Sequence, residues 1–407
     1  MGLIPIYFLI LKSHTKNILN NMIQTSKVAE GIKTSLTRQL FNLAKEYDDV
    51  IDFTLGDPDV QTHQTIKDAA CAAIQAGKTR YSQNAGLLQL RETIHKYYLR
   101  TENLDYSPID ETIVTVGAME GLYLALLALL DPGDEVVIPA PYYVNYVQMC
   151  QMCHAVPVVI DNPSADELSF NVKDIEAAIT SRTKAIMINT PSNPSGKIIP
   201  QNKIEAIAEI AKKHNLVVIS DEVYKSLIYE NTDYKSIAAI EGMRERTILI
   251  NSLSKEFCMT GWRIGYVLGP SEVIGAMTKL QENIAACAPL PSQYAAIEAL
   301  SGNGDYSSDM VNIFRSRRDI LTEGIQSIER LSCTKPEATF YLMVNVSGTG
   351  MTSQEFAFEL LKKEHVALVP GVTYGKCCDN YVRIAFTVEE DKIKEGVKRI
   401  KRFVDSL

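Results

Sequence analysis

Residues 185–224 read AIMINTPSNPSGKIIPQNKIEAIAEIAKKHNLVVISDEVY. The runs AIMIN (185–189) and LVVIS (216–220) are short, apolar and rich in β-branched residues, as buried strands are. Between them, residues 201–215 set Ile204, Ile207, Ala208 and Ala211 on one face at helical spacing, with Lys203, Glu209 and Lys212 elsewhere. Similar β-rich runs extend outward from this unit at IVTV (113–116), EVVIP (135–139), VPVVI (156–160), TILIN (247–251) and GYVLG (265–269). Helical patterns separate several of them. Strands alternating with helices predict an α/β fold with a mostly parallel seven-stranded sheet, covered by helices on both faces. Before about residue 65 and after about residue 300 the chain turns to charged helical segments, with strand-like FYLMVNV (340–346) and YVRIAF (381–386). The expected organisation is a large domain over 66–300 and a smaller α+β domain built from both chain ends, 22–65 and 301–407.

The chain has 407 residues, 46% hydrophobic and 22% charged, an ordinary globular composition with room for more than one structural unit. A net charge of −8 suits a polyanion poorly, so no nucleic-acid partner is expected. Eight scattered cysteines fit a reducing compartment better than a disulfide framework, which predicts a cytoplasmic protein. The apolar run LIPIYFLIL (3–11) is too short to span a bilayer, and its basic residues, Lys12 and Lys16, follow it where a signal peptide would place them before. Residues 1–21 therefore read as an N-terminal extension ahead of Met22, and no membrane partner is expected. Cys150-Gln151-Met152-Cys153-His154 has the spelling of a haem attachment or a redox pair. It falls in a helical stretch after Tyr146 with no second cysteine pair at zinc spacing, Cys377 and Cys378 being adjacent, so no metal site is expected.

Ligands of open α/β sheets bind beyond the carboxyl ends of the strands. Gly117-Ala118-Met119 follows IVTV and opens a strongly apolar helix. After AIMIN comes Pro191-Ser192-Asn193-Pro194-Ser195-Gly196, and after LVVIS comes Asp221-Glu222-Val223-Tyr224. TILIN leads into Ser252-Leu253-Ser254-Lys255 and then Thr260-Gly261-Trp262-Arg263. Singly, each has a plain reading: Asp221 as a helix cap, Asn193-Pro194 as a turn, Lys255 as a solvated side chain. Together they offer an anion-suited helix start, an amide, a carboxylate with a phenol, and a lysine with hydroxyls and an arginine. Such a set can hold a phosphorylated, nitrogen-containing aromatic cofactor.

The segments SNPSG (192–196), SDEVY (220–224) and SLSKEFCMTGWRIGY (252–266) resemble those of the aspartate-aminotransferase family, class I/II, fold type I of the pyridoxal-phosphate enzymes, in its bacterial branch. LGDPD (55–59), KTRYSQNAG (78–86), DPGDEVVIPAPYY (131–143) and YVRIAF extend the likeness from about residue 25 to the C-terminus. The resemblance implies pyridoxal 5'-phosphate as cofactor and a role for each matching position. Lys255 resembles the lysine that binds the cofactor and then shuttles a proton to and from substrate Cα. Asp221 resembles the carboxylate that keeps the pyridine nitrogen protonated, and Tyr224 with Asn193 the pair that hydrogen-bonds the ring oxygen. Ser252 and Arg263, with backbone N–H groups around Ala118 and Met119, resemble the phosphate anchors. Tyr143 stands where the family sets an aromatic ring over the cofactor, often a tryptophan. Arg383 resembles the arginine that forks onto the substrate α-carboxylate, assisted by Asn193 and the backbone near Gly56.

The activity so implied is an aminotransferase, moving an amino group from an L-amino acid to a 2-oxo acid such as 2-oxoglutarate by a ping-pong route. A C–S β-lyase on the same fold shares every cofactor contact and is the alternative. A regulator with a vestigial site is disfavoured because Lys255 is present and the residues before Ile51 are too few for a DNA-binding module. Relatives specialised for aspartate can carry a lysine at the place of Met119 or an arginine beyond Gly265; Met119 is apolar, and no arginine falls between Arg263 and Arg315. A broad or neutral-to-aromatic donor range is expected, with aspartate next. Tyr81, between Gly77 and Gly86, matches a tyrosine that reaches the neighbouring subunit's cofactor phosphate, which implies a homodimer with composite sites.

Overall fold

The computed structural model describes residues 24–32, 36–161, 163–164, 168–230, 232, 234–302, 304, 306 and 308–407. The extension read over 1–21 lies outside the described residues. The chain divides into two units, 1–34 and 35–407. In the first, Ser26 caps the short helix Lys27–Gly31 by accepting the Ala29 N–H at 3.2 Å.

Seven strands form the main sheet of the second unit: β1 (Thr112–Thr115), β2 (Glu135–Pro139), β3 (Val156–Ile160), β4 (Thr183–Asn189), β5 (Val217–Asp221), β6 (Thr247–Ser252) and β7 (Gly265–Leu268). Their spatial order is β1-β7-β6-β5-β4-β2-β3. All neighbours run parallel except β7, which is antiparallel to both β1 and β6. The expected sheet is therefore present, and GYVLG supplies its one reversed strand. Alternate residues feed opposite cores, as the period of two requires. Ala185 and Met187 of β4 join a cluster with Leu122 and Leu126 of helix α1 (Gly117–Leu129). Ile186 and Ile188 join another, beneath Ile204, Ile207, Ala208 and Ala211 of helix α3 (Gln201–Lys213). Helix α2 (Asn145–Met152) buries Tyr146, Met149 and Cys150. Cys150 ends in that core and Cys153 caps the helix, both buried; burial pushes their thiols up to about 12 and about 11, far from the reactive thiolate range.

A second sheet, of four strands, follows: β8 (Ser332–Cys333), β9 (Tyr341–Asn345), β10 (Val369–Pro370) and β11 (Tyr381–Ala385), in the order β8-β9-β11-β10. Its core gathers Phe314 from α4 (Ser308–Gln326), Phe356 and Leu360 from α5 (Ser353–Glu364), and Ile393 and Phe403 from α6 (Glu390–Asp405). Leu40 and Phe53 from the early chain lie in the same cluster, as do Val223 and Tyr224 from just beyond β5. Phe53 ties the early chain into this layer through its backbone, its N–H donating to Ala367 O at 2.8 Å and its carbonyl accepting from Ala385 N at 2.9 Å. No helix of the described residues is long and apolar enough to cross a membrane.

Phe53 packs directly on α6, where a Cβ built on Gly396 would fall 2.5 Å from its ring atoms. Gly396→Val should therefore overpack this contact and cost about 1–3 kcal/mol. Chemical denaturation measures it: the midpoint should drop with unchanged slope, and an unmoved midpoint would show that α6 does not press on Phe53.

Candidate active site

The carboxyl ends of β4, β5 and β6 open on one cavity of about 370 Å³, within the range of small-molecule sites. The N-terminus of α1 closes one end of it, with Ala118 and Met119 among the lining residues. Tyr341 of β9 and Arg383 of β11 close the other. Lys255, Asp221, Tyr224, Asn193, Ser252, Arg263, Tyr143 and Gly56 line it as well, so the strand-end positions singled out in the sequence share one pocket. Tyr81 does not join them: it is 87% exposed and lies outside the lining.

Lys255 sits in a short helical turn, Leu253–Glu256, that β6 runs into. Its Nζ donates to the Gly56 carbonyl at 2.6 Å. Burial pulls its ammonium down to about 8; the carboxylate of Asp57 opposes the shift, and the nearby Arg383 and Arg263 charges add to it. Asp221 ends β5 and is buried; burial pushes its carboxyl up to about 6. Tyr146 and Val223 hold the ionised form, Tyr146 donating its hydroxyl to Oδ2 at 2.6 Å and Val223 its N–H to Oδ1 at 3.3 Å. Tyr146 also meets the ring of Tyr143 edge-on, with centroids 5.5 Å apart.

The amide of Asn193 is held in place from behind. Its backbone N–H donates to Asn189 Oδ1 at 2.7 Å, and Asn189 Nδ2 donates to the Asp221 carbonyl at 3.0 Å. Asn193 Oδ1 accepts from Arg383 Nη1 at 2.9 Å, while Arg383 Nη2 donates to the Thr54 carbonyl at 2.6 Å. Arg383 Nε is buried with no hydrogen-bond partner among the described residues. The guanidinium lies between two rings, 4.4 Å from the centroid of Tyr341 and 5.1 Å from that of Tyr374.

The α1 end is built for an anion. Ser252 Oγ caps the Lys255 turn, accepting the Ser254 N–H at 3.0 Å, and stands 2.7 Å from Ser254 Oγ. Arg263 adopts a left-handed backbone (φ 51) and donates from Nη1 to the Thr260 carbonyl at 2.7 Å. Gly117 opens α1 with φ 73, and a Cβ there would meet Arg263 Nη2 at 2.6 Å. The position must stay bare for the guanidinium to lie across the helix N-terminus, where backbone N–H groups and the helix dipole favour negative charge. Two hydroxyls, a guanidinium and a helix start thus surround a space suited to a phosphate group. Among the described residues no group of three His, Cys, Asp or Glu side chains could hold a metal ion.

Several lining residues escaped the sequence reading. Ser254 was visible in Ser-Leu-Ser-Lys, and Asn189 as the polar end of AIMIN. Tyr341 and Tyr374 carried no local signal, one inside a strand pattern and one in a turn. Tyr146, which does not line the pocket but braces Asp221, stands in the first turn of α2, three residues after Tyr143.

Comparison with known proteins finds the chain similar to one family. The family model described as aminotransferase class I and II matches residues 48–400. The aspartate aminotransferase of Pyrococcus abyssi is 37% identical over 91% of this chain and 96% of its own. Aromatic-amino-acid aminotransferase 2 of Thermococcus litoralis is 33% identical, over 92% of this chain and 96% of its own. The crystal structure of the aspartate aminotransferase from Rhizobium meliloti superposes with a TM-score of 0.91 at 32% identity, covering 94% of this chain and 99% of that one.

A lysine with its ammonium lowered to about 8 should lose its proton near neutral pH more readily than surface lysines. In competitive labelling of the ligand-free protein with acetic anhydride, Lys255 should gain reactivity through about pH 8, where exposed lysines need about pH 10.4. A Lys255 profile that follows the surface lysines would mean that its ammonium is not desolvated.

Proposed function

The chain belongs to the class I and II aminotransferase family, and on that premise we propose that this pocket holds pyridoxal 5'-phosphate at Lys255 and passes an amino group from an L-amino acid to a 2-oxo acid, 2-oxoglutarate among them, in ping-pong order. Amino-group transfer, not C–S cleavage, is the activity of the named relatives. The observation that carries the cofactor assignment is the convergence in one cavity of Lys255, Asp221 and Arg263, with Gly117 beside it bare where a Cβ would collide with the Arg263 guanidinium. The residues fit the group: Arg263, Ser252, Ser254 and the Ala118 and Met119 backbone for its phosphate, Asp221 for its ring nitrogen, Asn193 and Tyr224 for its ring oxygen, and Tyr143 for its ring face. Bound there, pyridoxal phosphate supplies an aldehyde that takes up amines and a ring that accepts the electron pair freed when the Cα–H bond breaks.

The rest is work for the chain. Asp221, kept ionised by Tyr146 and the Val223 N–H, holds a proton at the ring nitrogen. Lys255, more easily deprotonated because burial disfavours its charged form, takes the proton from substrate Cα and returns it. Arg383 grips the α-carboxylate, its planar guanidinium fixed by Asn193 and Thr54. Lys255, Arg263 and Arg383 are the only Lys or Arg side chains among the described lining residues, so a second substrate carboxylate finds no cation of its own there. Met119, Leu55, Leu122 and Tyr374 offer apolar surface instead. Neutral and aromatic donors are accordingly preferred, with aspartate next. The large domain over 66–300, a smaller one from the flanking segments, and a cytoplasmic home suited to the eight free thiols belong to the same reading.

Lys255→Ala should retain pyridoxal phosphate without its visible band and lose activity by roughly 10⁴-fold, across a panel of amino donors with 2-oxoglutarate. Near-normal turnover in that variant would remove Lys255 from the mechanism, and a wild-type preference for aspartate over every neutral donor would overturn the specificity. The working unit we propose is a homodimer in which Tyr81 of each subunit reaches the other's phosphate, since its exposed hydroxyl serves nothing in its own pocket. In a mixed dimer of Tyr81→Phe and Lys255→Ala subunits, one site collects both lesions and the other is intact. That second site should bind the cofactor with full affinity, and affinity as weak as in the Tyr81→Phe homodimer would place Tyr81 within its own chain.

A further inference from the structure

Tyr341 touches three working parts of the pocket, and no motif marks it. It begins β9, and the register of β9 with β11 sets Met343 opposite Arg383 and Tyr341 opposite Ala385. Tyr341 is thus the diagonal neighbour of Arg383 on the same face of the sheet. Its ring lies 4.4 Å from the guanidinium carbon. Its hydroxyl stands 3.0 Å from that of Tyr224, its one hydrogen bond among the described residues. A Cβ built on Gly56 would fall 1.8 Å from the same hydroxyl oxygen, so the backbone whose carbonyl receives Lys255 is pressed against it.

We propose that Tyr341 is a positioning residue of the transfer site: its ring sets the Arg383 guanidinium for the substrate carboxylate, and its hydroxyl donates to Tyr224. The inference rests on the roles given above to Arg383 and Tyr224. A phenol carries one proton. When Tyr224 gives its proton to the ring oxygen of the cofactor, the 3.0 Å contact must be donated by Tyr341. Both phenols are buried, which pushes their ionisation above the ordinary range, so both remain donors at working pH. Donors in series strengthen one another, so Tyr341 sharpens the hold of Tyr224 on that oxygen. The ring acts separately. With Tyr374 at 5.1 Å on the same cation, it confines a guanidinium whose Nη atoms are already committed to Asn193 and Thr54.

The two halves of the proposal come apart by mutation. A donor on the ring oxygen draws off negative charge that would otherwise retain the proton beside the Lys255 nitrogen, so a weaker donor raises the pKa of the visible band. In the enzyme loaded with pyridoxal phosphate, Tyr341→Phe should raise that pKa by about half a unit while leaving KM for donor and acceptor within about two-fold. Tyr341→Leu should show the same rise and add about a five-fold increase in both KM values. On a Tyr224→Phe background, Tyr341→Phe should move the band no further, because its route is gone. A wild-type band pKa in Tyr341→Phe, an equal shift in the Tyr224→Phe background, or a wild-type KM in Tyr341→Leu would each overturn the proposal. A wild-type protein that forms no visible band with pyridoxal phosphate would overturn the cofactor reading itself.

Discussion

The register of three parallel strands decides nearly everything else. β4, β5 and β6 are paired so that Asn189 lies beside Asp221 and Asp221 beside Ile250; β4 and β5 end level, and β6 runs two residues further to Ser252. Because successive side chains point to opposite faces, a slip of one residue in β5 would exchange Asp221 with Glu222. Glu222 now faces a different environment, accepting from Ser220 Oγ at 2.8 Å and Ser236 Oγ at 2.7 Å. Behind it stand Lys225 and Glu102, paired with each other, and the Lys225 ammonium lies 3.7 Å from the ring centroid of Tyr98. Two chemistries are thus separated by one residue of register. The face with Asp221 opens on the pocket, and the face with Glu222 is filled and largely closed by its own partners.

Burial does the electrostatic work in the pocket. Lys255 and Asp221 have opposite charges, and burial moves each toward its neutral form. What differs is the company. Lys255 has Arg263 and Arg383 near it, which deepen the shift against the opposing Asp57, whereas the partners of Asp221, a phenol and a backbone N–H, only counter it. The lysine is thereby suited to release its proton and the aspartate to keep its charge. Pairing the two directly would have cancelled both properties.

How much of this could be read from the chain follows from how far apart the interacting residues lie. All seven strands of the large sheet were legible because each is a contiguous apolar run, and the helix over 201–215 because its face repeats within four turns. The gathering of Lys255, Asp221, Asn193, Tyr224, Arg263 and Arg383 in one cavity was legible for the same reason, each standing in a local motif, most of them at the end of a strand. Two contacts between tyrosines and these residues were not. Tyr146 meets Asp221 across 75 residues of chain and Tyr224 meets Tyr341 across 117, and no local pattern encodes either contact. The direction of β7 was equally hidden, since GYVLG has the same composition whichever way it runs.

The segment from Thr54 to Gly56 lends the pocket two acceptors that are main-chain atoms, the carbonyls that receive Arg383 and Lys255. A carbonyl survives any replacement of the side chain it belongs to. Two of the contacts that aim the reactive cations are therefore indifferent to point mutation at the positions that make them. The exception is size at residue 56, where the Tyr341 hydroxyl leaves no room for even a methyl group. Drift in this segment can change Thr54 and Leu55 in chemistry while the geometry of the grip is inherited intact, so new substrate preferences can evolve beside a conserved hold on the reacting groups.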